Sequence, residues 1–169
     1  MINFYRFEYY HTVFMTYEGI YGSTDRWRCK DHTIDYGCPG PNEDYRLRNN
    51  IQKSGKSLSK YNFGFTSIDA LRSWFWDVEI YRIMSKRVHG DIFPSSRLKP
   101  CLSVYKVPEE KVLNGRYQSV ILNEILKDSP VTRYTTLSWV SRILNLKVSP
   151  DNKQADDFYK REKGNRYGY

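Results

Sequence analysis

The chain has no apolar run near the length needed to cross a bilayer, and no charged start followed by an apolar stretch of signal-peptide type. A membrane-spanning or exported protein is therefore not the expectation; a cytoplasmic one is, in a host cytosol if the gene is viral. Cysteine is scarce and odd in number: the residues are Cys29, Cys38 and Cys101. That count does not suit a disulfide framework. Nor does Cys29-x2-His32-x5-Cys38 with a distant Cys101 give the two close ligand pairs of a zinc site, so no metal is expected. Histidine is limited to His11, His32 and His89, none in a hydrolase or metalloprotease setting. Lys53-Ser-Gly-Lys-Ser57 contains a Gly-Lys-Ser but lacks the earlier glycine and the preceding apolar strand of a phosphate loop. No self-sufficient catalytic signature remains.

What is present is aromatic and basic. Aromatics make up 16% of the 169 residues, with 15 tyrosines, and the formal net charge is +8. Tyrosine serves equally as core filler with a polar tip and as a stacking platform for bases. A basic balance favours acidic partners, nucleotides or nucleic acid among them. The positive charge is nevertheless spread along the chain, as a solvated surface would have it, through Arg26, Arg28 and Lys30, then Arg46 and Arg48, then Lys53, Lys56 and Lys60.

The length suits one core, and the pattern predicts a compact α+β domain over residues 1–148, with a polar, mobile tail over 149–169. Its sheet is expected to be mostly antiparallel, with a main amphipathic helix packed on one face and a second helix near the C-terminus. Asn3 to Tyr10 reads as an aromatic strand with Arg6 and Glu8 on one face, followed by Thr12 to Tyr17 as the return of a hairpin. Residues 23–59 show no lasting periodicity and read as a long irregular loop. A helix capped by Ser67 is predicted to run to His89-Gly90, its stripe made by Leu71, Trp74, Phe75, Val78 and Tyr81. Strands are expected at Cys101–Val107 and Tyr117–Leu122, and a helix over Thr135–Leu146. A rival reading makes Leu122–Lys127 and the Thr135 helix a helix-turn-helix, with Ser129–Tyr134 as the turn.

Two constellations carry candidate chemistry. At Gly64-Phe65-Thr66-Ser67 a strand turns into a helix; glycine allows close approach, two hydroxyls are on offer, and helix N–H groups favour an anion. The same corner serves equally as a helix cap with a close-packed glycine. Arg6, beside Tyr5 and among aromatics, suits bidentate phosphate contact, or an ion pair with Glu8.

The order of Tyr5-Arg6, the Gly-Phe-Thr-Ser corner with Leu71, Trp74 and Phe75, Val104-Tyr-Lys-Val107 and Gly115-Arg-Tyr-Gln118 resembles a group of small phage proteins. More distantly it resembles the ADP-ribosyltransferase-like fold. That resemblance implies nicotinamide adenine dinucleotide (NAD) as ligand, with Arg6 as the first-strand arginine and Thr66 and Ser67 as the Ser/Thr element. The glutamate such transferases place on a late strand has no match, because Gln118 is followed by Ser119 and Val120. The resemblance thus implies a phage accessory protein that recognises a nucleotide-bearing ligand through Tyr5, Arg6, Gly64, Thr66 and Ser67, with transfer lost or degenerate. Two alternatives stand beside it: a non-enzymatic nucleic-acid-binding protein, and an inhibitor that grips a host protein through the 23–59 loop and the tail.

Overall fold

A computed structural model describes residues 1–11, 15–20, 43–75, 77–84 and 98–147. In chain order the elements are β1 (Ile2–His11), β2 (Thr16–Gly19), α1 (Tyr45–Lys53), β3 (Tyr61–Gly64), α2 (Ile68–Trp74) and α3 (Asp77–Met84). There follow β4 (Leu98–Val107), β5 (Leu113–Asn114), β6 (Ser119–Leu122), α4 (Asn123–Asp128), β7 (Val131–Tyr134) and α5 (Leu137–Leu144). Among the described residues all strand pairings are antiparallel, and with helices packed on the sheet the α+β expectation holds.

β1 organises both sheets. Its period-two alternation sends Tyr5, Phe7 and Tyr9 to one face and Phe4, Arg6 and Glu8 to the other. β4 pairs with β1 from Ile2↔Val107 to His11↔Leu98, and β7 adds beyond β4. On the opposite edge β2 closes a hairpin from Glu8↔Gly19 to His11↔Thr16, its return strand at Thr16–Gly19 rather than the expected Thr12–Tyr17, giving the order β2-β1-β4-β7. A smaller sheet, β3-β6-β5, joins the same edge where Tyr5 and Phe65 exchange backbone hydrogen bonds of 2.7 and 2.9 Å. β1 is thus shared, with β3 beside its first half and β2 beside its second.

The apolar face of β1 and β4 packs under helices. Tyr5, Phe7, Tyr9 and Leu102 meet Leu71, Trp74, Phe75, Ile80, Ile83, Val140 and Leu144 in one cluster. On the reverse face Phe4, Tyr105 and Val107 meet Val112, Ile121 and Leu126, so β6 and α4 cover that end. α1 lays Leu47 and Ile51 on Tyr61 and Val120.

Several sequence expectations change. The helix opened by Ser67 is not continuous to residue 84: Phe75 is extended (φ −103°, ψ 123°), and α3 resumes at Asp77. Successive helical residues point about 100° apart, whereas the break lets both Trp74 and Phe75 enter the core, Phe75 edge-on to Phe7 with centroids 5.2 Å apart. Asp77 secures the break, pairing with Arg72 at 3.0 Å and accepting from the Lys147 N–H at 2.8 Å. Residues 85–90 lie outside the described set. Within the predicted 23–59 loop, 45–53 is helix and Leu58–Lys60 a 3-10 turn; 23–42 is outside the described residues. The helix-turn-helix reading fails because Val131–Tyr134 is a strand paired with β4, not a turn, although the short helix at 123–128 exists. Cys29, His32, Cys38 and the 149–169 tail also lie outside the described residues.

Candidate functional site

The Tyr5–Phe65 bridge brings the backbone of the 63–65 segment against β1, with the Tyr5 and Arg6 side chains on opposite faces of that strand. Each contact there is made within the protein. Arg6 donates through Nη1 to the Phe63 carbonyl (3.2 Å), and its Nε lies 3.1 Å from Glu8 Oε1. Tyr5 accepts a hydrogen bond from the Asn3 amide (3.0 Å). A Cβ at Gly64 would stand 2.5–2.6 Å from the Phe4 ring and 2.7 Å from the Tyr5 carbonyl, so close packing against β1 accounts for this glycine. Ser67 caps α2 by accepting from the Ala70 N–H (3.1 Å), and Thr66 is half-buried.

On the polar face of the large sheet, Glu8 is only 3% exposed. The Ser103 hydroxyl donates to its Oε2, and the Tyr105 hydroxyl lies 2.9 Å from both oxygens. Arg6 stands on one side and Arg133 on the other, the latter with Nε 3.9 Å from Oε2. Gly19 leaves the space that the Arg6 guanidinium fills, since a Cβ there would run into it. Arg133 lies over Tyr17, its guanidinium carbon 3.6 Å from the ring centroid. Burial pulls the Arg6 guanidinium below its ordinary value while the Glu8 charge opposes that pull; an arginine keeps its proton through such shifts. Bonded by two hydroxyls and flanked by two guanidinium groups, Glu8 acts as a buried clamp joining β1, β4 and β7. Cys101, on the same face, is pushed up to about 11 by burial, which leaves a buried thiol poor in thiolate.

Burial also raises Tyr9 to about 12, from 10.0, and raises Tyr105, where the Glu8 charge adds to it. The Tyr9 hydroxyl is buried without a hydrogen-bond partner among the described residues. For groups whose folded-state value is raised, the stability they contribute is whole below the unfolded value and lost as pH climbs through the folded one. The melting temperature is therefore expected to hold below about pH 9 and to fall between the unfolded values of 9.0 and 10.0 and the folded values of about 11 and about 12. Calorimetry across that range checks it: Tyr9→Phe should shallow the fall, and an unchanged slope would remove Tyr9 from the account.

A second constellation surrounds α1. Asp44, buried just before the helix, accepts from the Leu47 N–H at 3.0 Å through one oxygen. Its other oxygen accepts from the N–H groups of Arg116 (2.8 Å) and Tyr117 (3.2 Å). Gly115 is required because a Cβ there would meet the Asp44 carboxylate, the Gln118 carbonyl and Leu47. One carboxylate thus caps a helix and holds the 115–117 turn beside its start. The exposed residues of α1 are Tyr45, Arg46, Arg48, Gln52 and Lys53, and no residue from Tyr45 to Lys53 is acidic. Arg48 lies 5.5 Å from the Tyr45 centroid and Arg116 lies 5.2 Å from that of Tyr117.

The family comparison covers most of this frame. A family model described as "Bacteriophage T4 Y00F protein" matches residues 1–129. The chain belongs to that family. It is a phage protein, and the match takes in β1 through α4, including Arg6, Glu8, Asp44 and the α1 face, and ends before β7 and Arg133. No curated protein and no solved structure matches the chain, and the ADP-ribosyltransferase-like resemblance gains no support from them. Among the described residues, no helix is long and apolar enough to cross a membrane, and no group of His, Cys, Asp or Glu is arranged to hold a metal ion.

Sequence reading saw Arg6 and Glu8 on one face but not Arg133, which nothing local to Val131–Tyr134 marks. It also missed the α1 face. The available signal was Asp44 as N-cap before Leu47 and Ile51, four residues apart as one helical stripe requires.

Proposed function

We propose that this phage accessory protein binds nucleic acid along the solvent face of α1 and the adjoining 115–117 turn. The observation that carries the reading is the run of exposed Arg46, Arg48 and Lys53 along Tyr45–Lys53, where no residue is acidic and the acids Glu43 and Asp44 stand only before the helix start, continued by exposed Arg116 through the shared Asp44 contact. Spread along the sequence, these charges look like an ordinary solvated surface; brought to one side of the small sheet, they form a cationic patch. Such a patch releases counterions from a polyanion, and the net charge of +8 assists the encounter.

The test is a salt titration of affinity by fluorescence anisotropy, on the full chain. Log affinity should fall linearly with log salt, and Arg46→Gln, Lys53→Gln and Arg116→Gln should each flatten the slope by about 0.7–1. Affinity indifferent to salt, or slopes unmoved by all three variants, would sink the proposal. Run in parallel, NAD and mononucleotides address the other corner: salt-resistant binding lost in Ser67→Ala would favour Tyr5, Arg6, Gly64, Thr66 and Ser67 instead.

A further inference from the structure

We infer that the nucleic acid bound at this face is single-stranded and that one of its bases stacks on Tyr45, an inference that rests on the α1 reading above.

Tyr45 is the first residue of α1 and is 68% exposed. Leu47 and Ile51 define the buried stripe, and at 100° per residue Tyr45 stands about 200° from Leu47, so its ring is directed away from the core by helix geometry. Arg48, one turn on, places its guanidinium 5.5 Å from the ring centroid. A large apolar ring left in water is the feature for which a base face is the natural complement, and stacking accepts any base. Duplex bases hide their faces within the stack and offer an exposed tyrosine only edges and backbone; a single strand offers the face itself.

The amide side chains of α1 point the same way. A helix that reads a duplex through its major groove uses Asn or Gln on adenine edges besides Arg or Lys on guanine, and the first of these routes is nearly closed on α1. Here the Asn50 amide donates to the Asn114 carbonyl (2.9 Å), anchoring α1 to the turn before Arg116, and Asn49 is half-buried. Only Gln52 remains exposed among the amides of α1. What the face presents is one ring flanked by cations, with Arg46 and Lys53 placed to follow a backbone on either side of the helix start and end. Trp139 on α5 is also exposed, at 54%, with Arg142 5.2 Å from its ring, but the exposed residues just before it in the chain are Thr135, Thr136 and Ser138, none of them basic.

The test compares an oligothymidylate of roughly 16 nucleotides with a duplex of the same length, at matched salt, on the full-length protein. The single strand should bind at least about tenfold tighter. Tyr45→Ala should weaken single-strand binding about 5- to 150-fold, the equivalent of the roughly 1–3 kcal/mol of one stacked base. It should leave the salt slope and the melting temperature as they are, and Tyr45→Phe should retain the affinity. Equal affinity for duplex, or Tyr45→Ala binding like the parent while Arg46→Gln weakens, would overturn the stacking inference yet leave the cationic face standing. Failure of the parent protein to bind either nucleic acid would overturn both.

Discussion

Glu8→Ala is expected to cost about 3–5 kcal/mol of folding stability, because it leaves a buried guanidinium without its counter-charge. Arg6 has a side chain 12% exposed, and among the described residues its only anionic neighbour within ion-pair distance is Glu8. The same truncation strips the hydroxyls of Ser103 and Tyr105 of their acceptor, at about 1–3 kcal/mol for each group left unsatisfied if no water enters. Arg133 loses less, being partly exposed and supported by the Tyr17 ring. Replacing both charges is a different experiment from removing one: an apolar pair of similar volume is often neutral where half a buried pair is not. Urea unfolding of Glu8→Leu and of Glu8→Leu/Arg6→Met reads the difference. The double variant should recover most of the loss; if it is as unstable as the single one, the destabilisation comes from packing and the clamp is not electrostatic.

Asp44→Ala should be nearly as damaging, at about 2–4 kcal/mol, combining the loss of a helix cap with two further charge-assisted bonds. The reason is its position at a junction: Leu47, Arg116 and Tyr117 all donate to the one carboxylate, which is buried. Asn is a good N-cap residue, but its single carbonyl oxygen cannot serve both the helix and the turn, so Asp44→Asn should fall between the parent and the alanine variant. Because the same carboxylate seats Arg116 beside α1, Asp44→Ala should weaken nucleic-acid binding more than Arg116→Gln alone, measured at a temperature where the variant remains folded. Loss of binding no greater than that of Arg116→Gln would mean that the turn is placed by Gly115 and Asn50 without help from Asp44.

The parts of this protein legible from sequence are those governed by neighbours a few residues away. Alternation in Asn3 to Tyr10 gives a strand whatever it pairs with, and Ser67 followed by an acidic first turn gives a capped helix start. The break at Phe75 was not legible, since Trp74-Phe75 continues an acceptable helical stripe and only the positions of Phe7, Phe65 and Lys147 make the extended residue preferable. α1 escaped notice because it buries only Leu47 and Ile51, too few apolar positions to announce a period.

By itself the sequence determined the basic balance, the aromatic richness, the antiparallel α+β class and the presence of Arg6 and Glu8 on one strand face. What surrounds that pair was decided by tertiary structure. Ser103 and Tyr105 reach Glu8 from β4 and Arg133 from β7, nearly a hundred residues or more along the chain. The proposed cationic face has the same origin, for the 115–117 turn lies beside α1 through the Asp44 carboxylate and the Asn50–Asn114 bond, which join two distant backbone segments. Local preferences act over a turn or a strand pair; the pairing of charges acts over a few ångströms of space, and only the folded chain sets which charges share it.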